Sequence, residues 1–396
     1  MARVAGATAA RRFPSGEAPV SRVVFVNWRD PWQSAAGGAE LYAWRISREL
    51  RRRGAHVTFV TSREPGQPRT ETRDGIRIVR RGGTYSRYPL VFSWLLRHRG
   101  SFDVAIDCMN GIPFFSPLAL SSRTKIILLV HHVHAEQFQV YFGRFLASFG
   151  RFLEGPVARR LYRRHPTVAV SRSTVRALRE RLGWQGPVHI VPNGTPLLPE
   201  PAAAEKTAAA PAAETGGPSL VCVGRLVAHK RVDRLVLAAA HLRERRPGLR
   251  LHIVGRGEQH DALRARIAAL GLEETVILHG FLSEEDKRRV LSSADLHVSA
   301  SRYEGWGLSV IEAAALGVPT VAYDVDGLRD AIRDGETGWL AVPGEDLADT
   351  IVRALKDLDA RRPEIAAACT AWASAFTWES SGDLMIRLIQ GDLDED

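Results

Sequence analysis

The sequence predicts an α/β chain made of two doubly wound halves, and three observations carry that expectation. Short apolar runs such as Val23-Val24-Phe25-Val26 and Leu220-Val221-Cys222-Val223 alternate with amphipathic helical stretches. That is the pattern of parallel strands buried on both faces. The pattern starts twice, before and after residues 199–218, a low-complexity Ala/Pro-rich stretch with no large apolar run. Finally, 396 residues exceed one ordinary core and divide naturally into two domains of roughly 180 residues. The expected boundaries are a flexible leader at 1–20, a first domain at 21–198, a linker at 199–218, a second domain at 219–372 and a closing helix at 373–390.

Composition narrows the class. Hydrophobic residues make up 45% and charged residues 25%, ordinary for a soluble globular chain. The three cysteines, Cys108, Cys222 and Cys369, are isolated and odd in number, which suggests neither a disulfide framework nor a metal cluster and fits a reducing cytoplasm. Residues 1–12 lack a hydrophobic signal core, and no apolar run approaches the ~20 residues of a membrane span. The expected location is therefore cytoplasmic. The net charge of +10 is lopsided: residues 1–199 hold 31 Lys/Arg against 12 Asp/Glu, and residues 200–396 hold 23 against 32. A basic half beside an acidic half points to an anionic partner for the first, whether membrane lipid, a phosphorylated acceptor or nucleic acid.

In the first half, the Val23–Val26 run leads through Asn27-Trp28-Arg29-Asp30-Pro31-Trp32 to Gly37-Gly38-Ala39-Glu40 and a helix carrying Leu41, Trp44, Ile46 and Leu50. Gly54 ends it and residues 56–60 form the next strand, so this is a βαβ unit with a glycine-rich first turn. Further strands are expected at 76–79, 104–106 and 126–130. The last ends in His131-His132-Val133-His134. Three histidines at i, i+1 and i+3 of a strand end converge poorly on one ion, and no acidic or cysteine partner is spaced nearby, so no zinc site is expected. Residues 138–164 are aromatic and basic, with Phe145, Phe149 and Phe152 among Arg144, Arg151, Arg159 and Arg160. They read either as a stretch lying on anionic lipid or as aromatics buried under a basic rim. Gly143, Gly150, Gly155 and Pro156 argue against one long helix there. Residues 168–171, a helix to Leu182, and 188–194 close this half.

The second half restarts at Leu220–Val223, followed by Gly224-Arg225-Leu226-Val227-Ala228-His229-Lys230 and a helix through Leu242. A planar guanidinium and a compact ammonium rooted beside a glycine turn suit phosphate. Strands at 251–254 and 276–278 follow, the first ending in Gly255-Arg256-Gly257. A strand at 294–298 then runs into Ser299-Ala300-Ser301-Arg302-Tyr303-Glu304-Gly305-Trp306-Gly307. Leu308, Ile311, Glu312, Ala315 and Leu316 fall at helical spacing, and Gly317 and Pro319 stop that helix. The glycines leave the amides of Gly307, Leu308 and Ser309 bare at a helix N-terminus, a ready phosphate site. Were 304–312 all helix, Glu304 and Glu312 would stand ~12 Å apart. A retaining glycosidase needs its carboxyls ~5 Å apart. The pair instead suits the two ends of an extended ligand with phosphates between, a nucleotide-sugar. Asp324-Val325-Asp326, a spacing used for metal-bound diphosphates elsewhere, follows the helix at a strand-to-turn position and is not expected to be a metal site.

The Glu304-x7-Glu312 spacing after a Ser-rich strand end, followed by Ala-Leu-Gly-Val-Pro-Thr-Val-Ala, resembles the donor-site signature of the family-4 retaining glycosyltransferases of the GT-B fold. Gly224-Arg225-Leu226-x3-Lys230 and Val191-Pro192-Asn193-Gly194 resemble that family at the same points in the chain. The likeness runs over residues 22–390 and is strongest at 219–345. It implies two Rossmann-like domains facing a cleft, with a C-terminal helix crossing back onto the first.

By the same resemblance, Arg225 and Lys230 clamp the donor diphosphate, Glu304 contacts the donor sugar and Glu312 the ribose. Gly37 and Gly38 lie against the phosphates and acceptor, and Gly224, Gly255, Gly307, Leu308 and Ser309 approach the donor with backbone. His131, with His134 as rival, reaches a sugar hydroxyl. The implied reaction is retaining transfer of a hexose from a UDP- or GDP-sugar to a hydroxyl, with no cofactor and no metal. Two other readings fit the residues: a sugar-nucleotide epimerase on the same fold, and a nucleic-acid-binding protein suggested only by the basic first half.

Overall fold

In β1 (Arg22–Val26), Val23 and Phe25 pack on one side of a sheet while Val24 and Val26 pack on the other, as the period of two requires. This computed structural model describes residues 21–84, 86–134, 143–195, 216–342 and 344–395. The leader at 1–20, residues 199–215 of the linker and 138–142 of the aromatic stretch lie outside them.

The first sheet contains, in chain order, β1, β2 (His56–Thr61), β3 (Thr70–Arg73), β4 (Ile76–Arg80), β5 (Val104–Met109), β6 (Lys125–Val130), β7 (Thr167–Ala169) and β8 (Val188–Ile190). Their order in space is β3-β4-β2-β1-β5-β6-β7-β8, parallel except for β3 against β4. That hairpin turns through Asp74 and Gly75, both with positive φ (50° and 72°), the backbone that an Asp-Gly pair supplies.

Helix α1 (Gly38–Arg52) covers one face of this sheet through Tyr42, Ile46 and Leu50. The other face carries α2 (Arg87–Arg97), α3 (Ser116–Ala119), α4 (Arg144–Phe152), α5 (Ala158–Tyr162) and α6 (Arg172–Leu182). Val91, Trp94, Ala119, Ala158, Tyr162 and Leu178 form a second cluster beneath them. The glycines and Pro156 do not break the chain between α4 and α5. A π turn over Leu153–Val157 joins the two and absorbs the proline.

The second sheet contains β9 (Ser219–Val223), β10 (Arg250–Val254), β11 (Val276–Gly280), β12 (Leu296–Ser299), β13 (Thr320–Tyr323) and β14 (Gly338–Ala341). It is all parallel, in the order β11-β10-β9-β12-β13-β14. Its helices are α7 (Val232–Arg245), α8 (His260–Ala269), α9 (Glu284–Ser292), α10 (Leu308–Ala315), α11 (Leu328–Ala331) and α12 (Leu347–Ser374), the last with non-helical angles at Arg361 before Pro363. β12 starts at Leu296 and not at Ala294, because Asp295 already caps the strand edge by accepting the Ser219 N–H at 2.8 Å.

Helix α13 (Trp378–Gln390) crosses back to the first half. Arg53 binds Asp383 at 2.5 Å, and Lys125 Nζ donates to the Leu388 and Ile389 carbonyls at 2.7 and 2.9 Å. Those carbonyls close the helix C-terminus, where a cation is favoured. Both sheets reverse strand order next to β1 and β9, so the crevices at their C-terminal edges are the natural ligand positions.

Candidate active site

Two turns face each other across the crevice. After β1, the loop to Gly37 is fixed from within. Arg80 Nε binds Asp30 at 2.6 Å with both side chains buried, and the Arg80 guanidinium also reaches Glu71. Gly37 opens α1, with its N–H donating to Glu40 Oε2 at 2.8 Å. A methyl group on Gly37 would sit 3.4 Å from Arg225 Nε, and one on Gly38 would sit 2.9 Å from Leu308 Cδ1. The glycine turn of the first half is thus pressed against Arg225 and the start of α10 in the second. Arg225 also reaches the Ala35 carbonyl at 3.4 Å.

The β9 turn carries Gly224 to Lys230. Gly255, at the end of β10, packs its α-carbon directly on the Gly224 carbonyl, so any side chain there would collide with it. Lys230 Nζ is bonded to Glu304, whose Oε1 also accepts from Ser301 Oγ at 2.9 Å. Burial pushes the Glu304 carboxyl up, but the Lys230 charge and the two hydrogen bonds outweigh it and hold the group below its usual range. Arg231 steadies the same loop by donating to the Ala300 carbonyl at 2.8 Å, with its guanidinium 4.8 Å from the Tyr323 ring.

Gly307 adopts φ +96°, which lets the loop turn into α10. The first helical bonds run from Val310 and Ile311 to the Gly307 carbonyl at 3.0 and 3.3 Å, so Leu308 and Ser309 offer amides that no helical carbonyl takes. One turn further on, Glu312 is buried and lies 3.2 Å from Lys287 on α9. Burial pushes its carboxyl up and Lys287 offsets only part of that. Lys287 also holds Glu284 at 2.9 Å. No sequence signal singles Lys287 out, because its partner is 25 residues away in the chain.

The histidines after β6 separate on inspection. His131 is 5% exposed and stands edge-on to Tyr42 at 5.0 Å, with no partner for Nε2. Burial, then the neighbouring His132, holds its pKa down to about 3. Its carbonyl accepts from Thr174 Oγ1 at 3.0 Å and lies so close to Gly305 that a β-carbon there would overlap it. His134 donates its backbone N–H to Glu154 Oε1 at 2.6 Å, and its ring lies against that of His132 with centroids 3.8 Å apart. His132 lines the cavity of about 250 Å3 that also contains Tyr303, Glu304 and Arg302. Sequence alone does not distinguish it from its neighbours.

Glu154 sits in the π turn with 0% exposure and no partner for Oε2, and burial pushes its carboxyl up to about 8. Of the Asp-x-Asp pair, Asp324 is held by Arg329 at 2.7 Å and Asp326 by Arg181 at 2.7 Å. Ser173 N–H to Asp330, at 2.9 Å, is a further tie between the halves. Among the described residues, no group of three His, Cys, Asp or Glu is placed to hold a metal ion.

Two parallel-sheet α/β units meeting over a cationic cleft define the GT-B class. Two family profiles divide the chain at the same place. One described as Glycosyltransferase Family 4 matches residues 36–197, and one described as Glycosyl transferases group 1 matches residues 204–368. The chain belongs to this family of glycosyltransferases.

Among curated relatives, it is 26% identical to a D-inositol 3-phosphate glycosyltransferase of Arthrobacter sp. (strain FB24), over 95% of this chain and 96% of that one. It is 35% identical to the mannosylfructose-phosphate synthase of Agrobacterium fabrum over 44% of this chain. That last match spans only 41% of the relative's length. Among solved structures, sucrose-phosphate synthase of Thermosynechococcus elongatus superposes with a TM-score of 0.78 at 21% identity, covering 94% of this chain and 98% of that one. Anabaena Alr3699/HepE in complex with UDP-glucose superposes with a TM-score of 0.71 at 19% identity, covering 94% and 100%.

Proposed function

We propose that this chain is a retaining glycosyltransferase that moves a hexose from a UDP- or GDP-linked sugar to an acceptor hydroxyl without a metal ion. The observation that carries it is convergence. Gly37 lies against Arg225 and Gly38 against Leu308 at the start of α10, while Lys230, on the Arg225 turn, is bonded to Glu304 on the loop that leads into α10, which supports one shared donor site. A solved neighbour of the same fold holds UDP-glucose, which supports a nucleotide-sugar donor.

The chemistry follows from those charges. Breaking the anomeric bond puts negative charge on the departing diphosphate, and two fixed cations with a helix N-terminus stabilise it without reorganising. Lys230 is shared. When a diphosphate takes its ammonium, Glu304 is released to accept hydrogen bonds from sugar hydroxyls. Glu312, one turn deeper, takes the ribose. The cavity beside His132 and Glu304 receives the acceptor, which attacks the face the diphosphate leaves. His131, kept neutral by burial, can share a sugar hydroxyl as donor or acceptor.

The test is thermal shift and calorimetry with UDP-, GDP- and dTDP-sugars, with and without chelator. A donor at 100 Kd should stabilise the fold by ~2.7 kcal/mol. Failure of every sugar nucleotide to bind, or loss of turnover in chelator, overturns the reading. Donor consumption without a glycosylated product would favour the epimerase.

A further inference from the structure

Helix α4 presents its apolar side outward. Phe145, Phe149 and Phe152, at i, i+4 and i+7, are 83%, 53% and 53% exposed, and Leu146 beside them is 58% exposed. The residues turned inward are only Ala147 and Gly150. Eleven large hydrophobics are exposed among the described residues, and these four account for more than a third of them. Three more, Leu90, Leu96 and Leu118, lie on α2 and α3, which cover the same face of the first sheet. On the opposite side, beside α1 and α13, the described residues show one such group, Trp32, which stands edge-on against Trp44. Apolar side chains collected on one layer mark a docking surface.

The charge around this patch has one sign. Arg144, Arg159, Arg160, Arg163 and Arg164 are exposed on or beside α4 and α5, and Arg97 and Arg99 at the end of α2. Across residues 87–164, the described carboxylates are Asp103, paired with Arg22, and the buried Asp107 and Glu154. We infer that α4, with the rims of α2 and α3, docks on the surface of a bilayer containing anionic phospholipid. A helix with phenylalanines on one side and arginines flanking them lies in the headgroup plane, rings in the acyl boundary and guanidinium groups on the phosphates.

Other occupants fit less well. A second copy would bring two arginine rims together, and like charges oppose that. Single-stranded RNA could stack bases on the three phenylalanine rings but would leave Leu146, Leu90, Leu96 and Leu118 uncovered, whereas an acyl boundary takes both. The surface is also tied to the cleft. Glu154, in the turn that continues α4, accepts the His134 N–H, and His132 two residues earlier lines the cavity. Docking therefore brings that cavity to the bilayer, where the acceptor hydroxyl would belong to a lipid or a lipid-linked saccharide. That consequence depends on the glycosyl-transfer reading; the docking does not.

Vesicle sedimentation of the full chain, without donor or turnover, tests it. The chain should sediment with phosphatidylcholine vesicles containing about 30% phosphatidylglycerol, and at least about tenfold less with phosphatidylcholine alone. Phe145→Ser with Phe149→Ser should lower the partition by about tenfold or more at an unchanged circular-dichroism melt. Arg163→Gln with Arg164→Gln, an independent exposed pair, should lower it by about fivefold per arginine. Absence of binding to the anionic vesicles, or binding that all these substitutions leave intact, overturns the proposal. So does a lipid-free dimer that the phenylalanine pair dissolves, or RNA binding tighter than vesicle binding.

Discussion

Lys230 and Glu304 are bonded to each other, so a diphosphate and a carboxylate compete for one ammonium. Removing that ammonium takes away transition-state stabilisation and also leaves a buried carboxylate without its cation. Lys230→Ala should therefore lower kcat by roughly 10^2–10^3, the cost of losing one fixed donor at developing charge. Full turnover at saturating donor would contradict the assignment. Glu154 gives a separate expectation at the same scale. Its ordinary value is 4.5 and burial raises it to about 8 in the folded chain. Between those values the unfolded chain has released a proton that the folded chain keeps, so stability falls as pH rises from about 4.5 to about 8, then levels off. Glutamine keeps the carbonyl that His134 N–H needs and has no proton to lose. Urea midpoints should decline over that window in the parent and decline less in Glu154→Gln; parallel curves would refute the account.

At the level of elements, the loop between β1 and α1 is held by a side chain from another strand. Arg80 reaches into it from β4 to bind Asp30, with 1% and 0% of the two side chains exposed. Asp30→Ala should cost about 1–3 kcal/mol in denaturant unfolding, because the buried Arg80 guanidinium loses one of its two carboxylates and keeps Glu71. A loss below about 1 kcal/mol would show that solvent reaches it. Local patterns made most elements legible in the sequence: apolar runs for β1, β6, β9 and β13, helical spacing for α1 and α10, and the glycine turns beside them. β3 is not among the expected strands, and its hairpin with β4 has Asp74-Gly75 as its local signal. The helices at 144–162 defied their glycines and proline because a π turn, invisible to residue propensity, carries the chain through. The site divides in the same way. Arg225, Lys230, Glu304 and Glu312 stand in recognisable spacing. Lys287, Arg80 and the separation of His131 from His132 arise from packing between distant segments, which no local window contains.

For the whole molecule, the two halves touch at points that admit almost nothing between them. The Gly305 α-carbon rests against the His131 carbonyl, and Gly38 against Leu308. The Arg181–Asp326 bridge is part-exposed and worth at most about 1 kcal/mol, so it does little to hold the halves together. Gly305→Val places a branched side chain in the seam. The variant should have a larger radius of gyration by solution scattering and turn over on the order of a hundredfold more slowly, since catalytic groups on opposite halves are then out of register. An unchanged scattering profile with normal turnover would show that the seam is not closed during catalysis.

The return of α13 to the first half also constrains how the protein is made. Trp378 stands 5.9 Å from Tyr42, and Lys125 holds the far end of the same helix. On the ribosome, 187 residues lie between Ile190, the end of the last strand of the first sheet, and Trp378. At ordinary elongation rates that is on the order of ten to forty seconds. Throughout that interval the nascent chain has a finished first sheet with α1 on it but not the helix that crosses back, so the contacts of Trp378 with Tyr42 and of Lys125 with the helix end are the last to form.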